Sequence, residues 1–232
     1  MSLVSAVTWL ALRELWISFR LIVVIALFLL AGALVALQPG VGLQEPAGWY
    51  AIGLAVASIA AGVMTADTLA GERRRGTAAW LASRAVPRVT LLVGWFLALL
   101  AAGMVGLVPG AALAWLSILP AVPSLDPSRF AIVVLAVGSG AQAALALGML
   151  AGALVPPRRA ALLTLSLCAM VAAGALAMPA ARSLTPTSGY FLLAEISTEW
   201  PLGHALQAIG IGLASAAILL GAAGLALERA DL

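Results

Sequence analysis

Few side chains of this 232-residue chain could take part in acid–base or nucleophilic chemistry. The sequence has one histidine, His204, and one cysteine, Cys168, so it offers neither an intrachain disulfide nor a Cys/His zinc cluster. Ser139, which lies between two glycines, could act as a nucleophile if His204 lay within hydrogen-bond distance and an oxyanion hole faced the reacting atom. The alternative is that Ser139 assists helix packing and His204 lies at the level of the lipid headgroups.

The most strongly charged segment of the chain is residues 66–88, with the sequence ADTLAGERRRGTAAWLASRAVPR. An arginine at the centre of a bilayer costs about 2.5–3.5 kcal/mol, so Arg73, Arg74 and Arg75 together would cost roughly 8–10 kcal/mol. This segment must therefore lie outside the hydrocarbon. It is either a docking surface for another polypeptide or an ordinary loop whose arginines set the topology and contact anionic lipid headgroups.

Composition assigns the rest of the chain to the integral membrane proteins. Hydrophobic residues make up 64% of the sequence and charged residues 9%, whereas a soluble domain has roughly 25% charged residues. The formal net charge of +3 does not indicate nucleic-acid binding, because the basic residues are few and their positions follow membrane topology.

Six charge-free runs each hold the ~20 apolar residues that a membrane helix needs. We predict an all-α polytopic protein with one transmembrane domain, residues 1–232, and a kink in the third span at Pro109. The predicted spans are, approximately, residues 18–38, 47–67, 89–115, 130–155, 160–181 and 201–227.

Three further helices are predicted outside these spans. Residues 3–17 should form an amphipathic interfacial helix, with Leu12, Trp16 and Phe19 on one face. Residues 68–88 should form a cytoplasmic helix that breaks at Gly76. Residues 184–199 are too apolar for a free loop and too few to cross, so a short helix in the outer interface, or dipping into it, is expected.

The arginines predict the orientation. If the N-terminus is cytoplasmic and six spans alternate, ten of the twelve arginines fall on the inside and only Arg129 and Arg182 fall outside. Cytoplasmic loops carry an excess of basic residues. We therefore predict that both termini are cytoplasmic.

No internal source of energy for transport is evident. The centres of the predicted spans contain no Asp, Glu, Lys, Arg or His, which ion-driven transporters usually place at mid-membrane. Asp67 ends the second span, His204 lies only about 6 Å into the sixth, and no P-loop motif is present. Energy for uphill movement would enter from another polypeptide, at the face that displays residues 66–88.

The order of residue types in this segment resembles that of the permease subunits of type-2 ABC exporters. Members of that family carry an acidic–basic–Gly-Thr element after the second span, followed by Leu, Ser, Pro and Arg. The corresponding residues here are Glu72-Arg73-Arg74-Arg75-Gly76-Thr77, Leu81, Ser83, Arg84 and Pro87-Arg88. The N-terminal Leu12-Arg13-Glu14-Leu15 with Phe19-Arg20 is similar to the family's amphipathic connecting helix.

The resemblance implies that residues 68–88 are a coupling helix that docks on an ATP-hydrolysing subunit. It also implies two ATPase copies that carry ATP and Mg, a second permease copy or a paralogue, no cofactor or metal on this chain, and the cytoplasmic membrane of a bacterium. The implied ATPase interface consists of Asp67, Glu72, Arg73, Arg74, Arg75, Gly76, Thr77, Leu81, Arg84, Pro87 and Arg88. The implied connecting-helix residues are Arg13, Glu14, Trp16 and Arg20.

The expected function is export of an amphipathic or apolar substrate by a chain that is not itself an enzyme. One alternative is a non-exporting subunit of a cytochrome or metalloenzyme assembly complex with the same permease fold. Another is an intramembrane serine protease, because Ser139 and His204 lie on the fourth and sixth spans, which looks like the rhomboid arrangement. The Gly106/Gly110 and Gly148/Gly152 pairs would allow close helix contact, although the high Ala and Gly content would explain most such pairs.

Overall fold

The computed structural model of this chain describes residues 2–36, 46–75, 86–120, 125–196 and 202–229. Every regular element within these ranges is helical, which confirms the predicted all-α class. The α-helices are α1 (Leu3–Ile17), α2 (Arg20–Ala36), α3 (Pro46–Arg75), α4 (Arg88–Ile118), α5 (Pro127–Leu154), α6 (Pro157–Ala177), α7 (Ser188–Ala194) and α8 (Leu202–Arg229). A 3₁₀ helix, Pro179–Leu184, precedes α7.

Five of these helices, α3, α4, α5, α6 and α8, are long and apolar enough to cross a membrane, and α1 with α2 makes a sixth candidate if the bent pair counts as one span. The chain is thus a multi-pass helical protein by length and composition. Helix α2 alone has 17 residues, about 25 Å. The end of the predicted first span, residues 37 and 38, lies outside the described part of the chain.

Helix α1 begins and ends where the sequence predicts, at Leu3 and Ile17. The hydroxyl of Ser2 accepts a hydrogen bond from the Ser5 N–H at 3.2 Å, which caps the first turn. Phe19 then takes the left-handed conformation (φ 59°), and α2 leaves at 81° to α1.

The predicted apolar face of α1 is wrong at Phe19, because that residue follows the end of the helix. Helix α1 packs on α4 through a different set of side chains, the buried Val7, Ala11 and Leu15 at intervals of four. Trp16 and Phe19 are exposed.

Helix α5 lies at the centre of the bundle and packs against α3, α4, α6, α7 and α8. It approaches α3 closely at Gly148, where an added Cβ would collide with the carbonyl oxygen of Gly62. A Cβ at Gly152 would lie 2.8 Å from the carbonyl oxygen of Ala66. Only glycine allows two helix backbones to approach this closely.

Glycines also allow close contact between α2 and α4. A Cβ at Gly106 would meet the carbonyl oxygen of Ile25, and one at Gly110 would lie 2.5 Å from that of Phe28. All four glycines of the two Gly-x-x-x-Gly pairs therefore serve close packing within the chain, and the expectation that background composition explains most of them is wrong.

Several predicted bounds need correction. The third span, predicted at 89–115, is the continuous helix α4, which extends to Ile118 with Pro109 inside it. Helix α6, in the region of the fifth span predicted at 160–181, begins at Pro157 and ends at Ala177; Met178, which precedes Pro179, leaves the helical conformation and a 3₁₀ helix follows. Helix α5 begins at Pro127, where the Asp126 carboxylate accepts the Ser128 N–H at 3.2 Å. Hydrogen bonds from the Ser128 hydroxyl and, second, from the Ser128 N–H lower the pKa of the Asp126 carboxylate.

The predicted external helix, 184–199, is shorter and deeper than expected. Helix α7 has seven residues, and residues 197–199 lie outside the described ranges. A Cβ at Gly189 would lie within 2.6–2.8 Å of the Ala136 and Val137 backbone, near the middle of α5. The Tyr190 hydroxyl donates to the Ser58 hydroxyl at 2.8 Å. Ser58 lies about 18 Å along α3 from Pro46, the first residue of that helix. The segment therefore enters the bundle.

Candidate functional site

Six helix ends meet at one end of the bundle, which we call the arginine end. They are the starts of α2, α4 and α6 and the ends of α3, α5 and α8. Hydrogen bonds from arginine side chains connect α3 to α5 and to α2, and α4 to α8, while Arg20 of α2 and Arg158 of α6 line one cavity with α3. Arg20, Arg73, Arg88 and Arg158, four of the basic residues assigned by sequence to the cytoplasmic side, thus lie at the same end of the bundle.

Arg73, near the end of α3, caps the end of α5. Its Nη1 donates to the carbonyl oxygens of Gly152 at 3.0 Å and Ala153 at 2.5 Å. These carbonyls belong to the last turn of α5, where no further helical N–H is present to bind them and where the helix dipole is negative. A half-buried guanidinium satisfies both conditions.

Arg88, the first residue of α4, caps α8 in the same way. Its Nη1 donates to the carbonyl oxygens of Leu227 at 2.6 Å and Glu228 at 3.1 Å, in the last turn of α8. We call the Arg73 and Arg88 contacts the two arginine clamps. They flank residues 76–85, so the segment between α3 and α4 is attached at its start to α5 and at its end to α8.

A third arginine, Arg20, joins α2 to α3. Its Nη2 lies 2.9 Å from an Asp67 carboxylate oxygen, and its Nη1 donates to the Thr68 hydroxyl at 2.7 Å. The Arg20 and Asp67 side chains are 28% and 46% exposed, so water screens the pair, and its value lies mainly in fixing the geometry.

The other residues of the predicted ATPase interface differ in burial, and the structure describes only some of them. Glu72 is buried, Arg74 is exposed, Arg75 is the last residue of α3, and Pro87 precedes α4 as its N-cap residue. Gly76, Thr77, Leu81 and Arg84 lie outside the described residues, as does the predicted break at Gly76.

The predicted connecting-helix residues divide between two helices. Arg13, Glu14 and Trp16 lie on α1, with Arg13 and Trp16 exposed, whereas Arg20 belongs to α2 and binds α3.

The opposite end of the bundle also has a capping arginine. The Arg182 Nε donates to the Ala175 carbonyl in the last turn of α6 at 3.0 Å, and its guanidinium lies 4.8 Å from the centre of the Phe191 ring. Arg182, which the predicted orientation places outside, therefore has a structural role.

A cavity of about 1030 Å³ opens between α3, α5, α6, α7 and α8. Its wall is almost entirely aliphatic, and the few polar groups include the hydrogen-bonded Tyr190 and Ser58 hydroxyls together with Thr187 and Ser215. An apolar cavity with a few polar groups is the usual form of a small-molecule site. Helix α6 is well exposed, with 17% of its span buried against 56% for α5, so one wall of this cavity is a loosely attached helix.

The contacts of Ser139 favour a packing role. Its buried Oγ donates to the Ala136 carbonyl at 2.7 Å and approaches the Ala208 carbonyl of α8 at 3.4 Å. His204 is exposed on α8, about one turn before Ala208. Among the described residues, no three His, Cys, Asp or Glu side chains are grouped closely enough to bind a metal ion.

Sequence reasoning identified the arginines but missed their partners. The acceptors at Gly152, Ala153 and Leu227 are main-chain carbonyls, and an apolar helix end carries no side-chain signal for them. The Tyr190–Ser58 contact and the cavity beside it were missed because the predicted helix at 184–199 was placed at the surface.

Comparison with protein-family models and with curated proteins finds no match for this chain.

Proposed function

We propose that this chain is the membrane-spanning subunit of an ATP-driven exporter, similar to the permease subunits of type-2 ABC exporters, and that a separate ATPase docks on residues 68–88. The observation that carries the proposal is the pair of arginine clamps. The only long charged segment of the sequence is fastened at both ends to the helix bundle, which is what a segment that receives force from a partner requires.

The clamps supply a route for that force. A push on residues 76–85 would move the end of α3 together with α5, through Arg73, and the start of α4 together with α8, through Arg88. Two helix pairs would then shift as units, because a packed interface moves between discrete arrangements instead of deforming smoothly. The cavity lies between members of both pairs, α3, α5 and α8, and the exposed α6.

The substrate class follows from the same cavity. An aliphatic wall with a few hydroxyl groups suits an apolar or amphipathic molecule and offers no charged partner for an ion or a sugar phosphate. We propose that such a molecule is exported by two copies of this chain, or by this chain and a paralogue, with two ATPase chains.

The proposed orientation places the arginine end in the cytoplasm of a bacterial cell, with both termini inside. The clustering of the arginine-bearing helix ends supports this orientation, because cytoplasmic membrane faces are enriched in Arg and Lys.

The test is capture of the ATPase by tagged protein purified in mild detergent. Arg74 is exposed, so Arg74→Glu should abolish the captured ATPase activity while the variant keeps its helical content. Arg159→Glu is the matched control, because Arg159 is also exposed at the arginine end but lies outside residues 68–88. Capture of no ATPase by the wild type, or equal loss in both variants, would contradict the proposal.

A further inference from the structure

A second cavity, of about 550 Å³, lies at the arginine end between α2, α3 and α6. Its polar wall consists of Arg20, Asp67 and Arg158. Its apolar wall consists of Val63, Met64, Ala161 and Leu162. The large apolar cavity described above is lined by none of these residues.

The two walls lie at different depths. Val63 and Met64 precede Asp67 by three or four residues on α3, and Ala161 and Leu162 follow Arg158 by three or four residues on α6, about 5–6 Å in each case. Helix α3 runs toward the arginine end and α6 runs away from it. Both apolar pairs are therefore one turn farther from that end than the charged groups, so the cavity is polar outside and apolar inside.

The charges of the polar wall are not balanced among the described residues. Arg20 is neutralised by Asp67 at 2.9 Å. Arg158 is exposed and makes no hydrogen bond or ion pair with any other described residue. Two guanidinium groups and one carboxylate leave a net charge of +1 facing the cavity. A single phosphodiester carries the complementary charge, and guanidinium groups bind phosphate oxygens with two parallel hydrogen bonds.

We propose that this cavity binds one anionic phospholipid, with its phosphodiester on Arg158 and Arg20 and the start of one acyl chain against Val63, Met64, Ala161 and Leu162. Basic pockets between transmembrane helices are typical sites for anionic lipid headgroups. The proposal does not depend on the proposed transport function, because the site lies on the bundle itself and involves no partner chain. Arg20 is held in place by Asp67 and Thr68, so binding needs only the Arg158 side chain to turn inward.

The experiment is native mass spectrometry of the full chain released from vesicles of phosphatidylglycerol or of phosphatidylcholine. The wild type should retain one phosphatidylglycerol, and Arg158→Gln should lower that retention by about tenfold, the effect of losing one charge-assisted hydrogen-bonded group. Arg159→Gln is the matched control: it removes the same charge from the adjacent, equally exposed position, which does not line the cavity. Retention by Arg159→Gln should stay within about twofold of wild type.

A second variant tests the apolar wall and separates a lipid from free phosphate. Ala161→Trp fills the inner part of the cavity without changing any charge, so it should also lower phosphatidylglycerol retention. Millimolar inorganic phosphate should not displace the lipid from the wild type. Equal losses in the Arg158 and Arg159 variants, equal retention of phosphatidylcholine, retention unaffected by Ala161→Trp, or displacement by inorganic phosphate would each overturn the proposal.

Discussion

At the scale of single residues, three arginine side chains in the described part of the chain bind main-chain groups at helix ends. Arg73, Arg88 and Arg182 each donate to carbonyl oxygens in the last turn of a different helix. A helix end leaves four carbonyls without helical partners, and a charged side chain can bind them in place of water. The arginines therefore satisfy main-chain groups as well as orienting the chain.

The Arg73 clamp should contribute measurably to stability. Arg73→Gln removes the charged donor from two carbonyls of α5, and we expect the free energy of unfolding to fall by about 1.5–3 kcal/mol. Arg74→Gln, which changes an exposed neighbour, should change it by less than about 0.5 kcal/mol. Denaturant unfolding in detergent measures both. Equal losses of unfolding free energy in the two variants would show that the Arg73 hydrogen bonds do not stabilise the protein beyond the effect of removing a positive charge.

Tyr190 should make stability fall at alkaline pH. Burial raises the pKa of its phenol above the ordinary value of 10.0, although the hydrogen bond to Ser58 opposes part of the shift. The folded chain then keeps the proton at pH values where the unfolded chain releases it, so the stabilisation is complete below about pH 10 and is lost as the pH rises further.

The measurement is the free energy of unfolding between about pH 9 and 12, with Tyr190→Phe as the control. The wild type should lose up to about 1.4 kcal/mol per pH unit more than Tyr190→Phe. Parallel curves for the two proteins would refute the assignment.

At the scale of helices, glycine positions determine which pairs approach closely. Helices α3 and α5 meet at Gly62, Gly148 and Gly152, and α2 and α4 meet at Gly106 and Gly110. In lipid no hydrophobic force drives helices together, so van der Waals contact between backbones supplies much of the association energy. The exposed α6, in contrast, has only a few buried residues, Ala160, Thr164 and Ala175.

Two Gly→Ala substitutions separate the effect of helix packing on stability from the effect of helix propensity. Gly148→Ala puts a methyl group against the Gly62 carbonyl, and we expect it to destabilise the protein by about 1–3 kcal/mol. Gly210→Ala on α8, where no atom lies within 4 Å of the added Cβ, should stabilise the protein by about 0.5–1 kcal/mol. Thermal unfolding in detergent shows whether each variant is less or more stable than the wild type. Stabilisation by both would mean that α3 and α5 do not approach as closely as described.

The sequence predicted much of the element list because charge and proline mark helix ends. Helix α1 has the predicted bounds, and the predicted helical stretch from Thr68 to Arg75 is the end of α3. The depth of α7 was not predictable, because an apolar stretch such as Tyr190 to Leu193 suits an interface and a bundle interior equally well. The clamp acceptors lie 79 and 139 residues from their donors, and they depend on which helices are neighbours, which uniform Ala- and Leu-rich helices do not encode locally.

At the scale of the whole molecule, the helix ends that carry most arginines are gathered at one end, while the Asp126 and Arg182 regions lie near the opposite ends of their helices. This segregation agrees with the predicted orientation, in which both termini are cytoplasmic. Orientation across the membrane is a property of the assembled chain, so its test must probe both ends of the bundle.

Single-cysteine variants provide this comparison in a Cys168→Ala background that keeps every arginine. Ser18→Cys and Glu228→Cys place a thiol at the arginine end, and Ser128→Cys and Ser183→Cys place one at the opposite end, all at exposed positions. A membrane-impermeant maleimide should label the second pair in intact cells and the first pair only after permeabilisation. The reverse pattern would place the arginine end outside.

The arginine clamps also bear on how the sequence can change during evolution. Because each clamp ends on main-chain carbonyls, other residue types can occupy Ala153, Leu227 or Glu228 without losing the acceptor, whereas Gly152 is restricted by its contact with Ala66. Related chains should therefore keep the arginines while the residues opposite them drift. Methods that infer contacts from correlated substitutions would then be blind to these connections between helix pairs.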